Sequence, residues 1–371
     1  MKTKKGRSKT MKTKRLTRKR LTRKRLTRKR TSKKTIRRNH VNKNRKRPRM
    51  LSGGDFFHTP EYDVYNTLAE ILKGELKDRK KIKKFKEFLR SPKSDEGKQK
   101  RAVIGDTPLH LAARNKNITT EMIKLLASGT GGEQAKSMKD NYNSTPLHLA
   151  AENTNITLEI IQLLVPGPGG EQAKSIQNDE GRTPLLLAAR NSDIDPNITL
   201  DIIKLLASKP GGEQAKKMQD KWYDTPLHYA AKNPNITLEI ITELASGPEG
   251  EEAKSMKSRY EYEGRTPLHL AAKNPNITLD IIEFLASESE GEKAKIMQDE
   301  LYDTPLHSAV ENRHFSLDII PILASGPGGE QAKSMKDKFG KTPLELAAKK
   351  TNITPEIMNL LKPLALVETA M

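Results

Sequence analysis

The sequence predicts an all-α protein, a solenoid of repeated helical units joined by short β-turns or hairpins. A helical cap and a disordered basic arm precede the solenoid. One supporting observation is a tetrapeptide beginning Thr-Pro-Leu that recurs along most of the chain at nearly regular intervals. A second is the helical spacing of apolar residues after each copy. A third is a basic segment that contains no acid. Repeats of this kind, each too small to bury its own apolar face, are typical of solenoids.

The basic segment covers residues 1–50, which contain 26 Lys and Arg and no Asp or Glu. Residues 51–371 contain the other 42 basic side chains and all 46 acidic ones. Within the arm, the unit LTRKR begins at Leu16, Leu21 and Leu26. A spacing of five turns each Leu by roughly 140° on a helix, so the leucines form no apolar stripe. Like charges at this density repel in any compact state, and we predict that the arm is disordered.

Dense positive charge on a flexible arm favours binding to polyanions or recognition as a nuclear or nucleolar import signal. Tethering to an anionic membrane surface is a weaker alternative, because neither a lipidation motif nor an apolar wedge accompanies the charge. The residues that we assign to this polyanion or import site are Lys14, Arg15, Arg18, Lys19, Arg20, Arg23, Lys24, Arg25, Arg28, Lys29, Arg30, Arg45, Lys46, Arg47 and Arg49.

Residues 51–101 connect the arm to the repeats. We predict a linker over 51–59, a helical N-terminal cap over 60–90 and a second linker over 91–101. The cap begins at a Thr-Pro-Glu helix start, and its apolar residues follow a helical spacing. A solenoid needs such a cap, because its terminal units otherwise expose an apolar face.

The repeats occupy residues 102–371, and each predicts two helices. Thr is a preferred N-cap residue and Pro suits the first helical turn, so every Thr-Pro-Leu predicts a helix start. In the first six repeats an Asn follows the first helix, where we expect a left-handed C-cap. The second helix then shows apolar residues at i, i+4, i+7 and i+8, as in Ile156, Ile160, Leu163 and Leu164. The seven repeats start at Thr107, Thr145, Thr183, Thr225, Thr266, Thr304 and Thr342.

The TPLH-type starts, the LAA that follows and second helices such as EIIQLL resemble the ankyrin repeat over residues 101–371. The resemblance implies antiparallel helix pairs with protruding turns, stacked into a curved array. The usual ankyrin repeat is shorter than these units, and the extra residues lie in pieces such as GGEQAKSM. We expect an added helical turn from the Glu to the Lys of this piece, and we interpret the GPGG stretches as loops joining units. Leu186 and Glu345 replace the motif His in the third and seventh repeats.

No motif indicates an enzyme, a cofactor or a metal site. The chain has no cysteine, and no Gly-Lys-Ser/Thr follows the glycine-rich stretches. The motif histidines stand one per repeat without a second ligand nearby, unlike zinc ligands. The resemblance implies that they make structural hydrogen bonds near the turns. No apolar run reaches the roughly 18 residues that a membrane helix needs, and no secretory signal is evident.

The turn before each Thr-Pro-Leu varies between repeats and is rich in aromatic residues. Aromatic side chains give large contact energies when a partner covers them, although packing between neighbouring turns is an equal alternative. The residues assigned to a protein-binding site are Tyr142, Trp222, Tyr223, Tyr260, Tyr262, Leu301, Tyr302 and Phe339. The concave surface implied by the resemblance carries charges of both signs, which favours a protein ligand over a uniformly charged one.

These observations predict a non-enzymatic scaffold or adaptor, monomeric and intracellular, with a protein partner of unknown identity. The nucleus or nucleolus is the favoured location and the cytoplasm an alternative. A different class of function also fits, in which the protein binds or packages nucleic acid through residues 1–50. Long repeat arrays with basic extensions further resemble proteins of large DNA viruses and intracellular bacteria, in which case the compartment belongs to a host cell.

Overall fold

The structure is a computed structural model that describes residues 60–74, 77–102, 105–259, 264–312, 318–351 and 353–364. The predicted arm over 1–50 and the linker over 51–59 lie outside the described residues. Within those six ranges the regular secondary structure is helical and no residue lies in a strand. The prediction of an all-α repeat solenoid is confirmed.

The helices are short and follow one another in sets of three. In chain order they are α1 (Pro60–Leu72), α2 (Arg79–Leu89), α3 (Asp95–Gln99), α4 (Pro108–Arg114), α5 (Thr120–Ala127), α6 (Gly129–Ser137), α7 (Pro146–Glu152), α8 (Leu158–Leu164), α9 (Pro168–Ala173), α10 (Pro184–Arg190), α11 (Pro196–Ala207), α12 (Gly212–Ala215), α13 (Pro226–Lys232), α14 (Leu238–Ala245), α15 (Gly247–Ala253), α16 (Pro267–Lys273), α17 (Leu279–Ala286), α18 (Glu288–Ile296), α19 (Pro305–Glu311), α20 (Ile319–Ala324), α21 (Gly326–Ser334), α22 (Pro343–Ala347) and α23 (Pro355–Leu360).

Corresponding helices of neighbouring sets pack on one another. The first helices, from α1 through α4 and α7 to α22, contact each other in sequence, and so do the second helices, from α2 through α5 and α8 to α23. The core between them is made of Leu, Ile and Ala side chains such as Leu109, Ala112 and Ile123. Each set therefore buries its apolar face only against its neighbours, as a solenoid requires.

Thr is the N-cap of all seven first helices, as predicted. In the seventh repeat Glu345 replaces the motif His without loss of the capping box, because its Oε2 accepts a hydrogen bond from the Thr342 N–H at 2.9 Å. Leu186 cannot accept this bond. In the third repeat the second helix, α11, begins at Pro196, so that Thr199 lies inside it, whereas Thr157 and Thr237 are the N-caps of α8 and α14.

The segment 91–101, which we expected to be a linker, holds a 3₁₀ turn at Pro92–Ser94 and then α3. Helix α3 packs on α6 in the same way as α6 packs on α9. Lys98 is buried and pairs with Asp95 at 3.3 Å, as Lys136 pairs with Glu133 in the next set. Helices α1 to α3 thus have the three-helix order of the later sets, although their sequence lacks the TPLH start.

The glycine-rich stretches are also more helical than we expected. Helices α6 and α21 begin at Gly129 and Gly326, so these residues form the first turn of a third helix rather than a loop. Close stacking explains the glycines. A Cβ on Gly131 would lie 2.1 Å from the Asp95 carbonyl oxygen, and one on Gly169 would lie 2.1 Å from that of Glu133.

A buried lysine lies in the last turn of each third helix or directly after it. Each of these lysines pairs with a carboxylate three residues earlier. Several also donate to a backbone carbonyl in the following set, as Lys136 does to Pro166 at 2.6 Å and Lys295 to Ser325 at 2.9 Å. The buried lysines are Lys98, Lys136, Lys174, Lys216, Lys254, Lys295 and Lys333. We call this row the lysine ladder, and it ties the third helices to their neighbours.

The asparagine that follows the first helix in the first six repeats does not adopt the left-handed conformation that we expected. Asn153 has φ −76° and ψ 115°, which is extended. Its side-chain oxygen accepts from the Asn155 N–H at 3.0 Å, and its amide donates to the Ala113 carbonyl of the previous set at 3.1 Å. Asn274 makes the same contacts, with Asn276 and Ala231. Asn suits this position because its side chain bonds both to the local turn and to the neighbouring set.

Candidate protein-binding surface at the turn tips

The turn before each first helix has a backbone fixed by one polar side chain. In the second repeat, Asp140 Oδ1 accepts from the backbone N–H groups of Tyr142 and Ser144 at 2.9 and 2.8 Å. The Asp140 N–H donates to the Ser144 carbonyl at 2.8 Å, which closes the turn. Asp and Asn favour such turns because their side chains bond to nearby backbone N–H groups. The same arrangement is built on Asn178, Asp220, Asp299 and Asp337.

The residue three positions after that side chain lies in the left-handed backbone region. Gly181 and Gly340 occupy it with φ 73° and 74°, and Asn143 with φ 57°. Gly and Asn tolerate this conformation. In two turns a tyrosine occupies it instead, Tyr223 with φ 65° and Tyr302 with φ 59°. The conformation costs a residue with a Cβ roughly 1–2 kcal/mol, so these two turns are strained.

Hydrogen bonds join neighbouring turns into a row among the described residues. A backbone N–H of one turn donates to a carbonyl of the turn before it, as Asp179 does to Tyr142 at 2.9 Å and Lys338 to Leu301 at 2.8 Å. Glutamine side chains add a second link. The Gln298 amide donates to the Tyr302 carbonyl of its own turn at 2.7 Å and to the Lys336 carbonyl of the next at 2.9 Å. Gln177 and Gln219 make equivalent bonds. We call this row the tip row.

The structure exposes four of the eight predicted binding residues. The exposed fractions are 66% for Tyr142, 41% for Tyr223, 58% for Tyr302 and 74% for Phe339. Trp222 and Leu301 are half-buried. Tyr260 and Tyr262 lie outside the described residues.

Cations lie close to three of the tip rings. The Arg182 guanidinium is 4.7 Å from the centre of the Trp222 ring, and that of Arg259 is 4.4 Å from the Tyr223 ring. The Lys338 ammonium is 5.7 Å from the Phe339 ring. Trp222 is thus covered partly by the neighbouring turn, which is the packing alternative. Tyr142 and Tyr302 have no cation over the ring among the described residues, and most of their surface faces solvent.

The motif histidines connect the first helices to the tip row. His110 Nδ1 accepts from the Thr107 N–H at 3.1 Å, and its Nε2–H donates to the Ser144 carbonyl of the next turn at 2.9 Å. His148, His228, His269 and His307 repeat this pattern. Both ring nitrogens are therefore used by the backbone. Burial lowers the pKa of His110, His148 and His228 to about 4 and that of His269 to about 3.

The ends of the first helices carry charges of both signs beside the tip row. The Arg114 guanidinium lies 3.1 Å from Asp106 and 3.5 Å from Asp140. Burial raises the pKa of Asp303 to about 6, and the nearby Asp299 carboxylate acts in the same direction. Burial lowers the pKa of Lys273. This surface has no uniform charge that would select a ligand of one sign.

Two features of the tip row were not predicted from the sequence. Tyr223 and Tyr302 were predicted as binding residues because they are aromatic. Their left-handed backbone conformation was not predicted, because the pattern of aromatic residues carries no information on it. Aligning the turns on their Asp would have placed Tyr223 and Tyr302 where Gly181 and Gly340 stand. The glutamine links could have been found from the recurrence of Gln at the sixth position before the Thr.

A family model for ankyrin repeats in three copies matches the chain at residues 77–169, 109–213, 155–233 and 196–298. These overlapping matches extend from residue 77 to residue 298 of 371, more than half of the sequence. The chain therefore belongs to the ankyrin-repeat family, whose members are general protein–protein interaction modules and typically lack enzymatic activity. No curated protein matches the chain.

None of the described helices is long and apolar enough to cross a membrane.

Proposed function

We propose that the protein is a non-enzymatic scaffold or adaptor, monomeric by itself, that binds a protein partner through the tip row. The observation that carries this proposal is the pair of strained tyrosines. Tyr223 and Tyr302 occupy left-handed positions that Gly or Asn fills in other repeats, and both rings are exposed. Backbone strain at an exposed side chain is often kept for function. The hydrogen-bonded row presents the rings in fixed positions, which lowers the entropy lost on binding.

Replacing Tyr302 by Gly or by Ala separates binding from stability. Both changes remove the ring, and we expect each to weaken binding of a partner captured with the full chain by about 2 kcal/mol if Tyr302 is a hot spot. Only Gly relieves the left-handed backbone, so Tyr302→Gly should be more stable than Tyr302→Ala by about 1 kcal/mol. Urea unfolding and titration calorimetry measure the two effects. Unchanged affinity in both variants would place the interface elsewhere.

We further propose that residues 1–50 act as a nuclear or nucleolar address or as an electrostatic tether. The supporting observation is the arm's 26 basic residues without an acid. Fused to an inert fluorescent reporter, residues 1–50 should carry it into the nucleus or nucleolus. A variant with Gln at Arg18, Lys19, Arg20 and the equivalent residues of the next two LTRKR units should carry less. A reporter that stays cytoplasmic would exclude the nuclear address and leave the electrostatic tether as the role of the arm.

The second candidate function is binding or packaging of nucleic acid through the same arm. Lys and Arg on a flexible chain meet phosphates rather than base edges, so this binding should ignore sequence and weaken steeply with salt. In this case the arm, and not the tip row, would carry the main activity. This candidate would be favoured if changing the LTRKR units abolished the protein's activity in cells and Tyr302→Gly left that activity unchanged.

A further inference from the structure

Helix α2 concentrates positive charge in the folded part of the chain. Its sequence RKKIKKFKEFL contains six basic residues and one acid. Five of the basic side chains are exposed, Arg79, Lys80, Lys81, Lys83 and Lys84. None of these five forms an ion pair with another described residue. Lys86, by contrast, bonds to Glu121, as does Arg90 just after the helix.

The two sides of α2 differ sharply. Phe85 and Leu89 are buried, and Phe88 packs half-buried against the core. These residues attach α2 to the second helix of the next set, α5. The remaining surface presents the five exposed cations, without an exposed large apolar side chain.

The charges of α2 oppose the electrostatics of its own helix. Helix N-termini favour acids, and five of the other second helices, α5, α8, α14, α17 and α23, have one in the first turn. In α2 the acid stands at the N-cap, where the Asp78 carboxylate accepts from the Lys80 and Lys81 N–H groups, and the first turn itself has the three cations Arg79, Lys80 and Lys81. Lys80 and Lys84, four positions apart, also repel each other. Fold stability therefore does not explain this charge pattern.

The charge of the folded region is segregated along the chain. Residues 77–101 contain 12 basic and 4 acidic side chains, a net charge of +8, whereas residues 102–371 contain 29 basic and 37 acidic side chains, a net charge of −8. A polyanion is therefore attracted to α2 and repelled by the later repeats. The nearly neutral sum over residues 51–371 conceals this division.

We propose that the exposed face of α2 binds the phosphate backbone of double-stranded nucleic acid without reading its sequence. The face offers several Lys and Arg side chains over about 10 Å of helix, and a duplex carries one charge per roughly 1.7 Å of its axis. An anionic membrane fits less well, because helices that lie on bilayers insert apolar side chains, and those of α2 are turned into the core. This site is distinct from the tip row.

The test changes Lys80, Lys81, Lys83 and Lys84 to Gln in the full chain. A matched control changes four exposed lysines of the later repeats, Lys204, Lys336, Lys349 and Lys362, so that both variants lose the same charge. Binding to a 20-base-pair DNA duplex of arbitrary sequence is measured against salt. We expect the α2 variant to bind about tenfold more weakly in low salt and its log–log salt slope to fall by about 2 to 3. The control should change little.

Chemical acetylation of the unaltered protein gives an independent readout that does not depend on the folding of a variant. Bound duplex should protect Lys80 to Lys84 severalfold and leave Lys204 as reactive as before. Equal reactivity of these lysines with and without duplex would overturn the proposal. So would an α2 variant that keeps its affinity and slope for the duplex but loses binding to phosphatidylserine vesicles, which would indicate a membrane as the ligand.

Discussion

Acidification from pH 7 to pH 5 should lower the free energy of unfolding by about 2 kcal/mol for each of four buried motif histidines. The folded pKa of His110, His148 and His228 is about 4 and that of His269 about 3, below the ordinary value of 6.5. The unfolded chain therefore takes up protons first, and each pH unit below 6.5 removes about 1.4 kcal/mol per histidine. The four together lose on the order of 8 kcal/mol, which approaches the whole stability of a typical domain.

The direction of this effect follows from the depressed pKa values. Stability is fully present above pH 6.5 and is lost as the pH falls towards about 4. Burial also lowers the pKa of His307, which adds to the loss. Asp303 works in the opposite direction, because its folded pKa is raised to about 6 from 3.8. It takes up a proton in the folded chain first and stabilises that chain by about 1 kcal/mol at pH 5. Burial raises the pKa of Asp106 in the same direction, and these carboxyl groups offset only a part of the loss.

Urea unfolding at pH 7, 6 and 5 measures the effect. His148→Leu provides a matched control, since Leu186 already occupies the equivalent position in the third repeat. This variant should lose stability at pH 7, because the Thr145 N–H and the Arg182 carbonyl lose their partner. Its dependence on pH should be shallower by one proton. Equal stability of the unaltered protein at pH 7 and pH 5, within about 1 kcal/mol, would contradict the buried neutral state.

Loss of one residue of the lysine ladder is the second change with a large expected effect. Lys174 is 1% exposed, and its ammonium lies 2.6 Å from Glu171 and donates to the Ser208 carbonyl and hydroxyl at 3.1 and 3.0 Å. Lys174→Ala leaves the half-buried Glu171 carboxylate without its partner, whereas the exposed Ser208 can bond to water instead. We expect it to lower the free energy of unfolding by about 2–3 kcal/mol, less than breaking a fully buried ion pair does, because water can reach the Glu171 carboxylate.

The matched control is Lys204→Ala, on the exposed side of α11, which should change stability by less than about 0.5 kcal/mol. A double change to apolar residues, Glu171→Leu with Lys174→Met, should recover part of the loss, because no unpaired carboxylate remains. Denaturant unfolding gives all three values. A loss below about 1 kcal/mol for Lys174→Ala would mean that the ladder does not hold neighbouring sets together.

The sequence predicted the repeats well because their strongest signals are local. Thr-Pro caps and helical apolar spacing depend on a few adjacent residues, and the structure contains both. Contacts between sets were harder to predict. Asn153 was assigned a left-handed cap from its residue type, whereas its bond to Ala113, in the preceding set, requires the stacked neighbour. The helix at 95–99 was missed because its glycine and lysine do not stand in the GGEQAKSM pattern.

The candidate site was predicted in composition but not in geometry. Aromatic residues between a turn-forming Asp and a Thr-Pro start indicated exposed tips, and Tyr142 and Phe339 are exposed. Trp222 is half-buried beside Arg182, whereas Tyr302 is exposed. This difference in exposure depends on the neighbouring turn. Sequence spacing alone carries no information on that contact.

Site-specific photocrosslinking shows whether a protein partner contacts the tip row. A photoreactive phenylalanine analogue replaces Tyr302 in one full-length variant and Glu283, exposed on the second helix α17, in another. On irradiation in cells, position 302 should yield one discrete crosslinked protein that position 283 does not. A partner crosslinked from position 283 and not from position 302 would contradict a contact at the tip row.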